Sequence, residues 1–375
     1  MYNRKIITQF TKHFFKGVCI VLIGPRQVGK TTLVNALQSE SSKKTIYFNC
    51  DEPDVKRSFE NVTSTQLKNL ISDNELIIID EAQRVENIGV TLKLLVDNFK
   101  KKQFIVTGSS ALEIADKIFE PLTGRQLLFK LYPLCLSEIY ENESTLTMNR
   151  ELDWHLIYGC YPKIVTEKES AQILLKNLAG QYLYKDILSW KDIRKPDLLD
   201  KLLHLLALQM CSEISLNELA TQLKVNTVTI DNYIDLLEKS GVVYRLKAYS
   251  TNERKEVTKM KKIYFWDNGI RNAIIGNFDD VKNRNDVAAL WENFIITERI
   301  KMNQYNQSNS DSFFWRSNQQ QEIDYVEFDK KKLHAFEFKW NPNAKGKPTK
   351  AFTNLYPDAE VSIINNENYQ NFVGI

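Results

Sequence analysis

The chain has 375 residues, of which 43% are hydrophobic and 26% are charged, and its formal net charge is +3. One hydrophobic core rarely serves so long a chain, so two or three domains are expected. The composition is that of a soluble globular protein, and the small net charge excludes a globally basic nucleic-acid binder, so any such surface must be local.

The first element is an apolar run followed by a glycine-containing loop and a helix. Residues 18–23 predict a buried strand, and the next stretch, "GPRQVGKT", fits the pattern G-x-x-x-x-G-K-[ST]. Glycines let the backbone wrap a phosphate chain, and the helix start supplies free N–H groups. Lys30 is expected to contact the β- and γ-phosphates, and Thr31 to ligate Mg²⁺. The predicted nucleotide-binding residues are Gly24, Pro25, Arg26, Gln27, Val28, Gly29, Lys30, Thr31 and Thr32.

A second apolar run, residues 76–79, is followed by two carboxylates, Asp80 and Glu81. The run predicts a central parallel strand, whose carboxyl end is where α/β sheets bind ligands. Asp80 is expected to hold Mg²⁺ through water, and Glu81 to polarise the attacking water. A strand that merely ends in acidic residues is the alternative. Together with the loop, this strand predicts ATP and Mg²⁺ as cofactors.

A third strand, residues 103–107, precedes "GSS". Thr107 or Ser109 is a candidate sensor of the γ-phosphate, and an ordinary exit from a strand is the alternative. Arg125 is a candidate arginine finger, acting in cis or on a neighbouring subunit. A solvated arginine explains the same residue equally well.

The middle of the chain predicts helices and then a winged helix-turn-helix. Residues 150–210 have helical periodicity, and Ser215 with Glu218 forms the pattern of a capping box. A helix over 216–223, a short turn, a helix over 227–239 and a strand over 242–246 complete the outline. A module that contacts only proteins is the alternative. The expected groove contacts are Asn226, Thr227, Thr229, Asn232 and Tyr233.

A cluster of basic residues follows this module, and Glu253 and Glu256 within it reduce its net positive charge. It is either a strip that tracks phosphates or a solvated face. Its members are Arg254, Lys255, Lys259, Lys261 and Lys262.

The last third predicts a helix over 286–302 and a hairpin of strands over 321–328 and 333–340. Glu292 has apolar neighbours at helical spacing, so its charge needs a partner. Asp324 and Glu337 can converge on one divalent ion that activates water, with Lys339 as a positioning base or charge stabiliser and Glu292 as an orienting group. Two alternatives stay open: a hairpin with exposed ion pairs, and a nuclease-like fold that is inactive or only binds DNA.

Taken together, the chain resembles a prokaryotic family of AAA-like P-loop ATPases whose C-terminal domain is restriction-endonuclease-like. The resemblance covers most of the chain and is carried by "GPRQVGKTTL", "LIIIDEAQ", "VTGSSA", "LTGRQLLFKLYPLCLSEI", "YGCYP", "YLYKDI", "KKIYFWDNGI", "LWENFI" and "EIDYV…FEFKW". It implies an α/β fold with an AAA-like core (1–140), a helical region with a winged helix (141–255) and a nuclease-like tail (256–375). It also implies ATP turnover and assembly into a ring or other oligomer. Tyr325 and Phe338 depart from the more aliphatic residues usual in the tail.

The sequence therefore predicts a Mg²⁺-dependent ATPase that acts on DNA, with metal-dependent nuclease activity left open. The alternative is a nucleotide-controlled switch that binds a protein partner without DNA.

Five scattered cysteines without a C-x-x-C pair predict buried thiols in a reducing compartment. No apolar run is long enough to span a bilayer and no signal-peptide pattern is present, so a cytoplasmic location without membrane contact is expected.

Overall fold

The computed structural model describes residues 2–108, 121–182, 196–250, 261–329, 332–344 and 349–375. The chain divides into two compact units. Unit 1 comprises Met1–Tyr132 with Lys239–Gly241, and unit 2 comprises Pro133–Glu238 with Val242–Ile375.

Unit 1 is built on a sheet of five strands in the order β2-β3-β4-β1-β5, and all its pairings are parallel. Three of the strands are buried along their whole length, as the sequence predicts for central strands. The strands are β1 (Cys19–Ile23), β2 (Thr45–Asn49), β3 (Leu76–Asp80), β4 (Gln103–Gly108) and β5 (Gln126–Lys130).

The helices of unit 1 connect these parallel strands and cover the sheet. Leu92 and Leu95 of one helix and Leu67 of another pack with the buried strand residues in one apolar core. The helices are α1 (Ile7–Phe10), α2 (Lys30–Glu40), α3 (Pro53–Ser58), α4 (Ser64–Ile71) and α5 (Ile88–Asn98), with 3-10 turns at Thr11–His13 and Ala82–Arg84.

The strand order decides which side chains meet at the carboxyl edge of this sheet. Strand β4 lies between β1 and β3, because it pairs with both. The end of β4 therefore separates the loop after β1 from the acidic end of β3. Parallel strands place all three ends on the same edge, where ligands bind in α/β sheets.

Unit 2 begins with helices. Among its described residues, eight helices precede α14, and the sequence predicts this helical middle correctly. They are α6 (Leu136–Ile139), α7 (Thr145–Tyr158), α8 (Pro162–Thr166), α9 (Ala171–Asn177), α10 (Pro196–Leu208), α11 (Leu216–Leu223), α12 (Thr227–Lys239) and, after two strands, α13 (Asn268–Ile275). Shorter helical segments lie at Lys168–Ser170, Leu178–Tyr182 and Val281–Asn283.

The second half of unit 2 is a mixed sheet of six strands in the order β11-β10-β9-β8-β6-β7. Its strands are β6 (Val243–Ala248), β7 (Lys261–Phe265), β8 (Asp311–Arg316), β9 (Glu322–Asp329), β10 (Lys332–Phe338) and β11 (Glu360–Ile364). Its helices are α14 (Val287–Tyr305), α15 (Lys350–Leu355) and α16 (Tyr369–Phe372). The predicted α/β class is confirmed, with a parallel sheet first, helices in the middle and a second sheet at the end.

The strands of the predicted wing belong to this second sheet. β6 pairs antiparallel with β7 and parallel with β8, so the strand that follows α12 is continuous with the strands of the tail. The predicted boundary between residues 255 and 256 falls in the segment that joins two paired strands, outside the described residues. The division into three domains stays a prediction.

All five cysteines are buried and none forms a disulfide. Within the described ranges, no helix has both the length and the apolar character needed to cross a membrane.

Candidate nucleotide site and carboxylate cluster

The loop between β1 and α2 has a backbone that only certain residues can adopt. Gly29 has φ +95°, in the left-handed region, and it is the residue immediately before α2. A Cβ on Gly24 would lie 2.3 Å from the carbonyl oxygen of Leu131, so the close approach of these backbones requires glycine. The two glycines of the sequence pattern therefore have separate steric reasons.

Lys30 begins α2 and is 5% exposed. Its ammonium donates hydrogen bonds to the carbonyls of Gly24 (2.8 Å) and Pro25 (2.9 Å), so it lies within the loop. The positive end of α2 and this ammonium point to the same place, which favours a polyphosphate ligand.

Arg4 supports the loop, and the sequence analysis did not identify it. Its guanidinium donates to the carbonyl of Val28 (2.7 Å) and to that of Tyr132 (2.6 Å). These bonds join the loop to the segment after β5. The partners are 24 and 128 residues away, so no local pattern could have indicated them.

The carboxylate of Asp80 accepts hydrogen bonds from three hydroxyl groups, which belong to three different elements. Thr31 Oγ1 donates to Asp80 Oδ2 at 2.8 Å, and the Tyr47 hydroxyl donates to the same oxygen at 2.7 Å. Thr107 Oγ1 donates to Asp80 Oδ1. A hydroxyl and a carboxylate side by side are hard oxygen ligands of the kind Mg²⁺ takes next to a phosphate. These residues therefore fit the metal that the loop implies.

Glu81 follows with an unusual backbone. Its φ is +53°, in the left-handed region, which is strained for a residue with a Cβ. Its N–H donates to Thr107 Oγ1 at 3.1 Å, and its carboxylate accepts a hydrogen bond from the side chain of Gln83. Thr107, predicted as a sensor of phosphate, connects the two acidic residues here. Ser109, the other candidate sensor, lies outside the described residues.

Arg125 lies at the amino ends of the parallel strands, opposite to the carboxyl ends where the phosphate loop lies. Its carbonyl accepts a bond from the N–H of Cys19, at the start of β1, whereas the phosphate loop follows Ile23. Cys19 and Ile23 are about 13 Å apart along β1. The Arg125 side chain pairs with Asp97 at 2.6 Å. This geometry does not bring Arg125 to the nucleotide site of its own chain.

In unit 2 the structure brings together the predicted residues of the tail. The register of β9 with β10 pairs Phe336 with Tyr325, and one further step places Glu337 opposite Asp324. Opposed residues share a face of the sheet. Lys339 donates to Glu337 at 3.3 Å, and Asp324 Oδ2 accepts the N–H of Phe338 at 2.8 Å.

Glu292 of α14 has the partners that its apolar setting requires. The Tyr264 hydroxyl donates to its Oε1 at 2.7 Å, and the ammonium of Lys262 lies 3.2 Å from the same oxygen. Burial and, to a smaller extent, Asp324 raise the pKa of Glu292 to about 7 against the opposing effect of Lys262. Burial and then Asp324 likewise raise the pKa of Glu337 to about 7. The carboxylates thus act on one another electrostatically.

The resemblance implies a divalent metal in the tail, and these residues do not fit one. Across the described parts of the chain, no group of three or more His, Cys, Asp or Glu residues is arranged to hold a metal ion. Asp324 and Glu337 each have one oxygen engaged by a hydrogen bond, and Glu292 is engaged by Lys262 and Tyr264.

Two expectations for the middle of the chain are wrong. Tyr233, expected in a groove, is 7% exposed, because it lies on the apolar face of α12 with Ile230 and Leu237. Lys262, expected on a basic surface, is 2% exposed. Arg254, Lys255 and Lys259 of the same cluster lie outside the described residues.

The outward face of α12 is acidic. Arg245 of β6 forms ion pairs with Asp231, Asp235 and Glu238 of that helix. Asn226 is exposed, but its side chain accepts hydrogen bonds from Thr229 at the start of α12. Three carboxylates with one arginine leave this face unfavourable for a phosphate backbone.

Fold and site together define a P-loop nucleotide-binding unit. Residues 17–140 match the family model of an AAA domain. Residues 149–281 and 287–373 match two domains of unknown function, DUF8612 and DUF4143. The first of these two ranges runs through β6, β7 and α13 and so crosses the predicted boundary at 255.

Several curated proteins are similar along most of the chain. An uncharacterized protein of Mycobacterium tuberculosis is 27% identical over 337 residues, which are 87% of this chain and 71% of that protein. An uncharacterized protein of Haemophilus influenzae is 25% identical over 301 residues, 75% of this chain and 74% of its own.

Among solved structures, similarity is low. A signal transduction ATPase with numerous domains and a tetratricopeptide repeat sensor, from Pyrococcus horikoshii, is 13% identical with a TM-score of 0.29. That comparison covers 83% of this chain, which spans about half (48%) of the other. A score this low does not establish a common fold.

Proposed function

We propose that the protein is a Mg²⁺-dependent ATPase of the AAA type, whose nucleotide state controls the modules of unit 2. The observation that supports this most is the meeting of Lys30, Thr31, Asp80, Glu81 and Thr107 at one edge of the parallel sheet. The AAA domain match over residues 17–140 agrees with it.

Each residue has a role in this proposal. Lys30 contacts the β- and γ-phosphates, and the backbone N–H groups of the loop cradle them. Thr31 and Asp80 would hold the Mg²⁺, which would neutralise phosphate charge. Glu81 orients and polarises the attacking water, and Thr107 sets its backbone relative to Asp80.

Calorimetry with ATP and Mg²⁺ tests the binding step. Wild-type protein should bind, and Lys30→Ala should bind about 10- to 100-fold more weakly, because it loses charged hydrogen bonds to phosphate. Lys43→Ala is the matched control, since Lys43 is an exposed lysine of the same unit paired with Glu75. Absence of heat from the wild-type protein would refute the proposal.

The first candidate output is action on DNA through α11, α12 and β6. The succession of helix, turn, helix and strand matches the outline of a winged helix. Cleavage by the tail would be an additional activity and needs a metal site there.

A second candidate is a regulatory switch that binds a protein partner without DNA. The acidic face of α12 favours it, because phosphates are repelled there. ATPase rates with and without duplex DNA over a salt series separate the two. Stimulation that fades steeply with salt supports DNA contact, and indifference to DNA supports the switch.

Self-association into a ring or other oligomer belongs to the same proposal. Arg125 is half-exposed and remote from the nucleotide site of its own chain, so any role in hydrolysis is on a neighbouring subunit. Arg125→Ala should then lower the rate of ATP turnover without weakening ATP binding. Assemblies that mix Arg125→Ala subunits with Glu81→Gln subunits would report whether Arg125 acts on a neighbouring subunit.

Tyr47→Phe tests the positioning of Asp80. The change removes one hydroxyl donor to the carboxylate that would hold Mg²⁺. Because partners behind a metal ligand tune its affinity, we expect the Mg²⁺ concentration for half-maximal ATPase rate to rise about tenfold. Tyr158→Phe, in unit 2, is the control. An unchanged Mg²⁺ dependence would show that the Tyr47 bond has no role in metal binding.

A further inference from the structure

The carboxylate cluster of unit 2, formed by Glu292, Glu322, Asp324 and Glu337, contains a buried lysine. Lys262 of β7 has 3% of its side chain exposed. Its ammonium lies 3.2 Å from Glu292 Oε1 and also donates to Glu322 Oε1. The lysine thus joins a strand at one edge of the sheet to α14 and to β9.

The other members of the carboxylate cluster are engaged as well. Lys339 contacts Glu337 at 3.3 Å, and Arg316 lies 3.5 Å from Glu322. The four carboxylates therefore face Lys262 and Lys339, and they share Arg316 with Glu213, which lies nearer to it at 3.2 Å. Internal cations of this kind reduce the electrostatic need for a further divalent ion.

The charge of Lys262 is itself stabilised. Burial lowers the pKa of its ammonium, but Glu292 and Glu322 outweigh burial and raise that pKa well above its ordinary value. An incoming metal ion would have to displace a charged, buried ammonium from its partners. Leaving that ammonium buried without its counter-ions is unfavourable.

We propose that Lys262 is the resident cation of the carboxylate cluster, so that the tail does not bind the divalent metal that its resemblance to restriction endonucleases implies. The cluster then joins β7, α14 and β9 as a structural charge network. Cleavage of DNA by Glu292, Asp324, Glu337 and Lys339 is not expected in this chain.

The first test measures Mn²⁺ binding to the full chain in the absence of nucleotide, by the electron paramagnetic resonance signal of free Mn²⁺. Wild-type protein and Asp324→Asn should bind Mn²⁺ equally. One Mn²⁺ that is bound by the wild-type protein and lost in Asp324→Asn would overturn the proposal. Because no nucleotide is present, the result is independent of the ATPase proposal.

The second test removes the lysine. Lys262→Met should gain a Mn²⁺ site at least about tenfold tighter than any in the wild-type protein, because Glu292 and Glu322 lose the cation that both contact. The gain should vanish in Lys262→Met/Asp324→Asn, and Lys261→Met, the adjacent residue of β7, should show none. A folded Lys262→Met protein without added Mn²⁺ binding would refute the proposal. If circular dichroism shows that Lys262→Met does not fold, the comparison of wild type with Asp324→Asn decides.

Discussion

Replacement of Glu81 by Gln should reduce ATP turnover by about 100-fold or more while leaving ATP binding intact. The expected loss follows from removing a group that polarises the attacking water, a contribution that is typically of this size. Glutamine keeps the shape and the capacity to hydrogen-bond with Gln83, so the strained backbone at Glu81 should persist. Steady-state phosphate release and calorimetry with ATP and Mg²⁺ measure the two quantities separately.

A matched control for this variant is Glu75→Gln. Glu75 precedes the same strand, and its carboxylate is exposed and paired with Lys43. Surface pairs of this kind contribute little, so turnover should be close to that of the wild type. Normal turnover in Glu81→Gln would show that another residue activates the water.

Replacement of Glu298 by Gln should lower the free energy of unfolding by about 3–5 kcal/mol, because it leaves the buried charge of Lys301 without its counter-ion. Both side chains are 2% exposed, and Lys301 Nζ lies 2.9 Å from Glu298 Oε1. Glu298 Oε2 also accepts the N–H of Leu136 at 2.7 Å, and Lys301 donates to the carbonyl of Leu134. The pair thus ties α14 to the segment that leads into α6.

Chemical denaturation of single and double variants measures this effect. The double variant Glu298→Leu/Lys301→Met removes both charges together and should be less destabilised than Glu298→Gln, since no unpaired ion remains. If the double variant loses as much stability as Glu298→Leu and Lys301→Met lose in sum, the two ions do not depend on each other. Arg284→Lys is not a suitable control, because Arg284 is itself buried and bonded to Asp286. Lys350→Met, at the start of α15, is exposed and should change stability little.

Much of the nucleotide site could be predicted from the sequence because its requirements are local. The apolar runs before Gly24 and Asp80 predict the strands that the structure contains. The helix predicted over 227–239 has those bounds in the structure. The residues that were missed, Arg4 and Tyr47, act through partners brought close only by the fold.

The two wrong expectations have different causes. For Tyr233 a signal was present: Ile230 and Leu237 lie three residues before it and four residues after it, which indicates the buried face of α12. For Lys262 the local sequence shows a lysine beside Lys261 at the start of an apolar strand, whereas its partners, Glu292 and Glu322, lie 30 and 60 residues away.

The sequence by itself determined the phosphate loop, since its residues are contiguous and the positive φ of Gly29 is a requirement of the loop's own backbone. The close approach that requires glycine at Gly24 and the support from Arg4 depend on the tertiary structure. It also determined the class of fold, through apolar runs and helical periodicity. Only the tertiary structure decided what the carboxylates of the tail contact. The energy of a buried charge depends on which ions surround it in space, and sheet β11-β10-β9-β8-β6-β7 brings those ions together from distant segments.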